Sequence, residues 1–249
     1  YYARKEGEKA VKAQEAYLAL TDNPEPGKRQ LAFYLFMAKN YAKANEMFKQ
    51  IIQQPDATPI TFRFYGVSLM ESNDFENSRK IFEQYFTKVK KEEIQANDYA
   101  YYGKALSKLK QDSLAIMAFE NSLALDSTQS EILQLQGEAY YKSKKYPQAI
   151  KRFEKLISLR TRPLSQDYYA IGRAYYYNNQ MVEADSAFTK LISLQPTMSV
   201  GYLWEARIKS IQDPESINGL AKPYFEKVIE IASPTTDKNK NDLIEAYSY

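Results

Sequence analysis

The sequence predicts an all-α solenoid of stacked antiparallel helix pairs, and three observations predict it. Residue types recur with a period near 34, so that GEAYYKSKKYPQAIKRFEKLISL (137–159) and GRAYYYNNQMVEADSAFTKLISL (172–194) are one line written twice. Within each period, apolar residues return at three- and four-residue intervals, the signature of a helix with one buried face. No strand-like alternation punctuated by hairpin turns appears.

The register is carried by three slots. A small residue recurs at Ala10, Ala44, Ser78, Ala115, Ala149, Ala184 and Ala221, in steps of 34, 34, 37, 34, 35 and 37 residues. Four residues later comes Phe48, Phe82, Phe119, Phe153, Phe188 or Phe225, with Gln14 the exception. Twelve residues ahead sits a second small residue, Ala32, Gly66, Gly103, Gly137 or Gly172; in the last full unit Ala206 stands fifteen ahead of Ala221. Small residues let two helix backbones approach, and the Phe fills the gap between neighbouring units. One helix pair cannot bury its apolar faces alone, so the units must stack.

Element by element, residues 1–24 open inside a helix, YYARKEGEKAVKAQEAYLAL, read as the second helix of a truncated unit. Full units follow at 25–58, 59–95, 96–129, 130–164, 165–198 and 199–235, and residues 236–249 read as the first helix of another truncated unit, all in a single array. The two helices of a unit are separated by short polar breaks: AKN, SND, KQD, KSKK and NNQ. Pro55, Pro163 and Pro196 stop second helices before the next unit begins. The last full unit is irregular, because residues 210–231 stretch the turn by three. Both ends are expected to be cuts through a longer protein, and two such cut edges are expected to allow end-to-end pairing of two copies.

The pattern resembles the tetratricopeptide repeat. Its signature runs aromatic–x2–Leu–Gly–x2–Tyr, then Ala–x3–Phe–x2–Ala, then Pro. The stretch YAIGRAYYYNNQMVEADSAFTKLISLQP (169–196) carries Ile171, Gly172, Tyr175, Ala184, Phe188 and Pro196 in those places. The resemblance extends over almost the whole chain. Departures are Gln14 and Ser78, and Asp126-Ser127 where the closing Pro is usual. The resemblance implies a right-handed solenoid whose first helices line a concave groove that receives a partner.

The tyrosines divide by slot. Tyr65, Tyr99, Tyr102, Tyr140, Tyr146, Tyr168, Tyr175 and Tyr202 fall in apolar slots and are expected in the core, ring buried and hydroxyl at the edge. A second set falls on positions that the resemblance places in the groove: Arg29, Phe33, Phe36, Arg63, Met70, Tyr101, Lys104 and Lys108. It continues with Gln134, Glu138, Tyr141, Lys142, Tyr169, Arg173, Tyr176, Tyr177, Leu203, Trp204 and Arg207. Aromatic residues and arginine carry much of the binding energy at interfaces, offering rigid area with a polar tip. The expected partner-binding residues are therefore Arg173, Arg207, Trp204, Tyr169, Tyr176, Tyr177, Tyr141, Lys104 and Tyr101. The family's carboxylate clamp needs Asn at the ninth position, where this chain has Phe33, Val67, Lys104, Glu138, Arg173 and Arg207. Clamp-type binding of acidic C-termini is disfavoured, and Arg173 and Arg207 are instead expected to pair with carboxylates of another partner.

Composition narrows the function classes. Thirty-four basic and 31 acidic residues leave a net charge of +3, too little to argue for nucleic acid. No apolar run approaches a membrane span. There is no cysteine, hence no disulfide, and no histidine, the commonest general base and zinc ligand. The acidic pairs Glu92-Glu93 and Asp74/Glu76 fall in turns and on polar faces, where nothing raises a carboxyl pKa as acid catalysis requires. Four of the eight glycines occupy the small slot and are packing residues, not a phosphate cradle. No cofactor, no metal and no enzymatic activity are expected.

The leading expectation is a non-catalytic scaffold that binds a peptide or protein segment in the groove. The alternatives are a glycan-binding helical-repeat protein of the cell envelope, stacking sugars on its aromatic face, and a tether for an effector domain outside this chain. The long last turn, DPESINGLAKPYFEKVIEI (213–231), is similar to turns in bacterial envelope proteins of the tetratricopeptide class. On that resemblance a periplasmic or envelope-associated location is expected.

Overall fold

Each short polar break closes a helix by the same backbone device. Lys39, Asn73, Lys110, Lys144 and Asn179 all take a left-handed conformation, with φ between 57° and 64°. The amide of the following residue then reaches five residues back: Asn40 N to Leu35 O at 2.8 Å, Asp74 N to Leu69 O, Gln111 N to Leu106 O, Lys145 N to Tyr140 O and Gln180 N to Tyr175 O, each at 2.9 Å. These are Schellman turns, which satisfy the orphan carbonyls at a helix end and reverse the chain within three residues. Asn and Lys hold the left-handed place here without glycine.

The computed structural model describes residues 2–22 and 24–249, and their side chains outside 2–5 and 235–238. Tyr1 and Asn23, which the register assigns to the opening unit, lie outside the described residues. The helices are α1 (Tyr2–Leu18), α2 (Pro24–Met37), α3 (Tyr41–Ile51), α4 (Pro59–Glu71), α5 (Phe75–Lys88), α6 (Ala96–Lys108) and α7 (Asp112–Leu125). They continue as α8 (Ser130–Lys142), α9 (Tyr146–Leu159), α10 (Ser165–Tyr177), α11 (Met181–Leu194), α12 (Ser199–Gln212), α13 (Lys222–Ala232) and α14 (Thr236–Ser248). No strand occurs among the described residues, and the fold is an all-α helical-repeat solenoid. No described helix is long and apolar enough to cross a membrane.

The small and Phe slots meet face to face. A Cβ built on Gly66, Gly103, Gly137 or Gly172 would lie 2.9, 2.6, 2.5 or 2.8 Å from the ring of Phe82, Phe119, Phe153 or Phe188. Those four rings are fully buried, each contributing about 1.5–3 kcal/mol of apolar burial. The two departures from the slots are accommodated by hydrogen bonds. Ser78 donates its hydroxyl to Gly66 O at 2.8 Å, and Gln14 donates its amide to Gly27 O at 3.1 Å where a Phe ring would otherwise lie.

The chain divides into two compact units, 1–132 and 133–249. In the first, Phe48, Phe62, Tyr65, Phe82 and Tyr85 form the core, with Phe33, Phe36 and Phe64 packed edge to face on one side. In the second, Phe188, Leu191, Trp204 and Ile208 form one cluster, and Leu203, Ala206, Ala221, Phe225 and Val228 another. The stretched turn before α13 is organised by the buried Asp213, whose carboxylate accepts from Asn218 N at 3.0 Å and Leu220 N at 3.3 Å. Ser216 and Gly219 take positive φ within it.

Candidate functional site

In the second unit, helical spacing brings the expected residues onto one face. Tyr169, Arg173 and Tyr176 stand three or four apart on α10, as do Glu138 and Tyr141 on α8 and Trp204 and Arg207 on α12. Arg173 lies between two phenols, its guanidinium carbon 4.4 Å from the Tyr169 ring centre and 4.6 Å from that of Tyr141. Its Nη2 reaches Glu138 Oε1 at 3.4 Å. Arg207 stacks on Trp204 at 4.5 Å and is held by Glu245 of α14 through two hydrogen bonds of 2.7 and 2.6 Å.

The rings themselves are continuous. Tyr141 meets Tyr177 edge to face at 5.9 Å and Tyr146 at 5.7 Å, while Tyr146 and Tyr177 stack at 5.6 Å and 19°. Tyr177 and Tyr176 both pack edge-on to Trp204, at 6.0 and 5.1 Å. Edge-to-face and offset contacts in this range are the favoured aromatic geometries. Burial raises the pKa of Tyr141 and Tyr176, with Arg173 and Arg207 respectively opposing it. Both stay neutral phenols at physiological pH. The result is one strip of five tyrosines and two arginines running across α8, the start of α9, α10 and α12.

Two residues expected to be exposed are not. Leu203 is 3% and Trp204 5% exposed. Trp204 lies flat on Phe188, with ring centres 5.2 Å apart and planes at 9°, and is roofed by Arg207 and Tyr176. Its large face is satisfied by the core, so it supports the strip from beneath. Tyr177, by contrast, is 49% exposed and forms the crest.

Tyr101 and Lys104 belong to the first unit. Lys104 Nζ sits 5.1 Å over the Tyr101 ring and 2.8 Å from Glu131 Oε2. Arg63 is locked by Asp98, Nε to Oδ1 at 2.8 Å and Nη2 to Oδ2 at 2.9 Å, and donates to the Tyr85 hydroxyl at 2.7 Å. Asp98 is itself buried, accepting from Tyr85 OH and from Gln95 N at the start of α6, both at 2.8 Å. Burial first, and Asp98 second, push the Tyr85 pKa up to about 12. Arg29 pairs with Asp56. Among the described residues no three carboxylates converge as a metal cage would require.

Sequence reasoning missed two participants, Tyr146 and Glu245, and one buried carboxylate outside the strip, Glu205. Tyr146 stands in an apolar slot at the start of α9, yet its ring joins the strip. Glu245 carries no mark in the repeat register. Glu205 is a carboxylate one residue before the small slot, where the preceding unit has Ile171, and that mismatch was the available signal; it is 1% exposed. Thr189 donates to it at 3.1 Å, and burial, with Asp185 alongside, pushes its pKa up to about 7.

The tetratricopeptide repeat profile matches residues 131–159 and 168–198, the two stretches that build most of this strip. The chain is 38% identical to the C-terminal part of a TPR repeat-containing protein from Cytophaga hutchinsonii, over 87% of this chain and 84% of that one, with a TM-score of 0.73. The chain belongs to the tetratricopeptide-repeat family. More distant TPR structures share the fold alone. YrrB, described as a TPR protein with an unusual peptide-binding site, is 16% identical over 75% of this chain and 94% of its own, at TM-score 0.65. MamA from Desulfovibrio magneticus RS-1 is 19% identical over 71% and 96%, at TM-score 0.61. No curated protein matches the sequence. The strip lies mainly on α8, α10 and α12, with Tyr146 contributed by the start of α9, and the rings of Phe82, Phe119, Phe153 and Phe188 lie against the glycines of the preceding helices.

Proposed function

We propose that this TPR chain is a non-catalytic protein-interaction scaffold, and that the aromatic strip on α8, the start of α9, α10 and α12 receives a peptide or protein segment. TPR proteins bind protein or peptide partners, and the repeat framework here supports the same class of function. The observation that carries the finer reading is the continuity of the strip. Tyr141, Tyr146, Tyr176 and Tyr177 form an unbroken run of ring contacts whose crest, Tyr177, is half exposed. Rings already held by their neighbours lose little freedom on binding, so contact with them converts efficiently into affinity.

A paired capture from native extract tests the reading. One bait is this chain and the other carries Tyr141→Ala and Tyr177→Ala, with unchanged helicity checked by circular dichroism. Both substituted side chains are partly exposed, so the repeat core stays intact. Proteins retained by the first bait and lost by the second support the strip as the binding face. Proteins retained equally by both place the interaction elsewhere.

A further inference from the structure

The charges of the strip are already balanced from within. Arg173 faces Glu138, and Arg207 is held fork to fork by Glu245. Each guanidinium already has a counter-charge, so a partner's carboxylate would gain little further Coulomb energy there, although Arg173 Nε is buried without a hydrogen-bond partner. The hydroxyls are in the opposite condition. Tyr85, Tyr102 and Tyr175, in the packing layers, give theirs to Asp98, Glu83 and Glu154 at 2.8, 3.2 and 2.8 Å. Tyr141, Tyr146, Tyr169, Tyr176 and Tyr177 make no hydrogen bond through their hydroxyls to any described residue.

A face of rings with free phenols and balanced charge selects its ligand. Its phenols need acceptors, and a helix offers few, because its carbonyls are bonded internally. A polyproline II segment has no internal hydrogen bonds, so its carbonyls are all available. Proline also carries no amide proton, so a pyrrolidine can pack on an exposed ring without burying an unsatisfied donor. Tyr141, Tyr146 and Tyr177 are in mutual contact, so such a ring would lie on the outer surface of the cluster, against the half-exposed Tyr177. Aromatic-lined grooves take proline-rich segments in this way, helped by the low entropy of a preformed extended ligand.

We infer that the strip of the second unit binds an extended, uncharged, proline-bearing peptide segment in polyproline II conformation, and that it does not select acidic peptides. The inference rests on the strip being the binding face. The test is selection from an unbiased displayed-peptide library on this chain, with the Tyr141→Ala/Tyr177→Ala variant for counter-selection and an oligosaccharide array in parallel. Enriched peptides are expected to carry proline and to be poor in Asp and Glu. A synthesised winner should bind equally at low and high salt. It should weaken about tenfold with Tyr177→Ala and about threefold with Tyr177→Phe, which keeps the ring and removes the hydroxyl. Enrichment of acidic, salt-sensitive peptides that the double variant loses would overturn the inference and leave the binding face standing. Peptides of any composition retained equally by the double variant would overturn both. Absence of any enriched peptide, or retention on the oligosaccharide array alone, would also overturn both.

Discussion

Arg207 on α12 and Glu245 on α14 meet fork to fork, Nε on Oε1 at 2.7 Å and Nη2 on Oε2 at 2.6 Å. The pair is about one-third exposed on each side, so its net worth is near the top of the surface range, about 1 kcal/mol. Its effect is local, because it ties the last helix to the strip. Glu245→Ala should therefore speed amide hydrogen exchange in α14 while leaving α10 and α11 unchanged. Equal acceleration throughout the second unit would contradict this reading.

Glu205 makes stability depend on pH. Its carboxyl keeps its proton up to about 7 when folded, against an ordinary value of 4.5, so folding takes up a proton between those limits. The protonated state stabilises fully at acid pH, and that contribution is lost as pH rises through 7. The loss amounts to about 3 kcal/mol. Glu205→Gln should match the parent in urea melts near about pH 5 and exceed it near about pH 8. A difference independent of pH would remove Glu205 as the cause.

The slot between Gly137 and Phe153 has no spare room. A Cβ on Gly137 would sit 2.5 Å from the Phe153 ring, so Gly137→Ala must push the ring out of its well. Helix propensity favours Ala over Gly by about 1 kcal/mol, but overpacking at this contact costs about 1–3 kcal/mol. Net destabilisation is expected in denaturant titration, with partial recovery on adding Phe153→Leu. A stabilised Gly137→Ala protein would show that the two helices can separate freely.

In the first unit, Asp98 is the counter-charge of Arg63 and the cap of α6. Asp98→Ala removes both, leaving a largely buried guanidinium without a carboxylate, at a cost of about 3–5 kcal/mol. Combined with Arg63→Met, the loss should shrink, since no charge is then stranded. A double-mutant cycle by urea unfolding measures that coupling directly, and additive losses would mean the two residues act separately.

The helix pairs were legible because their causes are local and repeated. Gly172 and Phe188, sixteen residues apart, belong to one helical hairpin, and Asn179 and its counterparts close the turn between them by backbone geometry that a six-residue segment contains. Even the departures are readable afterwards, since Ser78 fills its slot with a hydrogen bond to Gly66. The candidate strip was legible in part, because helical spacing puts Tyr169, Arg173 and Tyr176 on one face whatever surrounds them.

What spacing cannot express is how neighbouring repeats complement each other. Arg173 and Arg207 read as free cations along the chain, yet their carboxylates come from 35 residues upstream and 38 residues downstream. Trp204 reads as a surface anchor, yet Phe188 supplies a flat partner that draws it under. Tyr146 reads as core, yet Tyr177 stacks on it at the surface. The sequence by itself determined the repeating helical framework, because hydrophobic period and turn chemistry act over a few residues. Only the tertiary structure decided which side chains remain available to a partner, because charge pairing and ring stacking depend on the few ångströms between one repeat and the next.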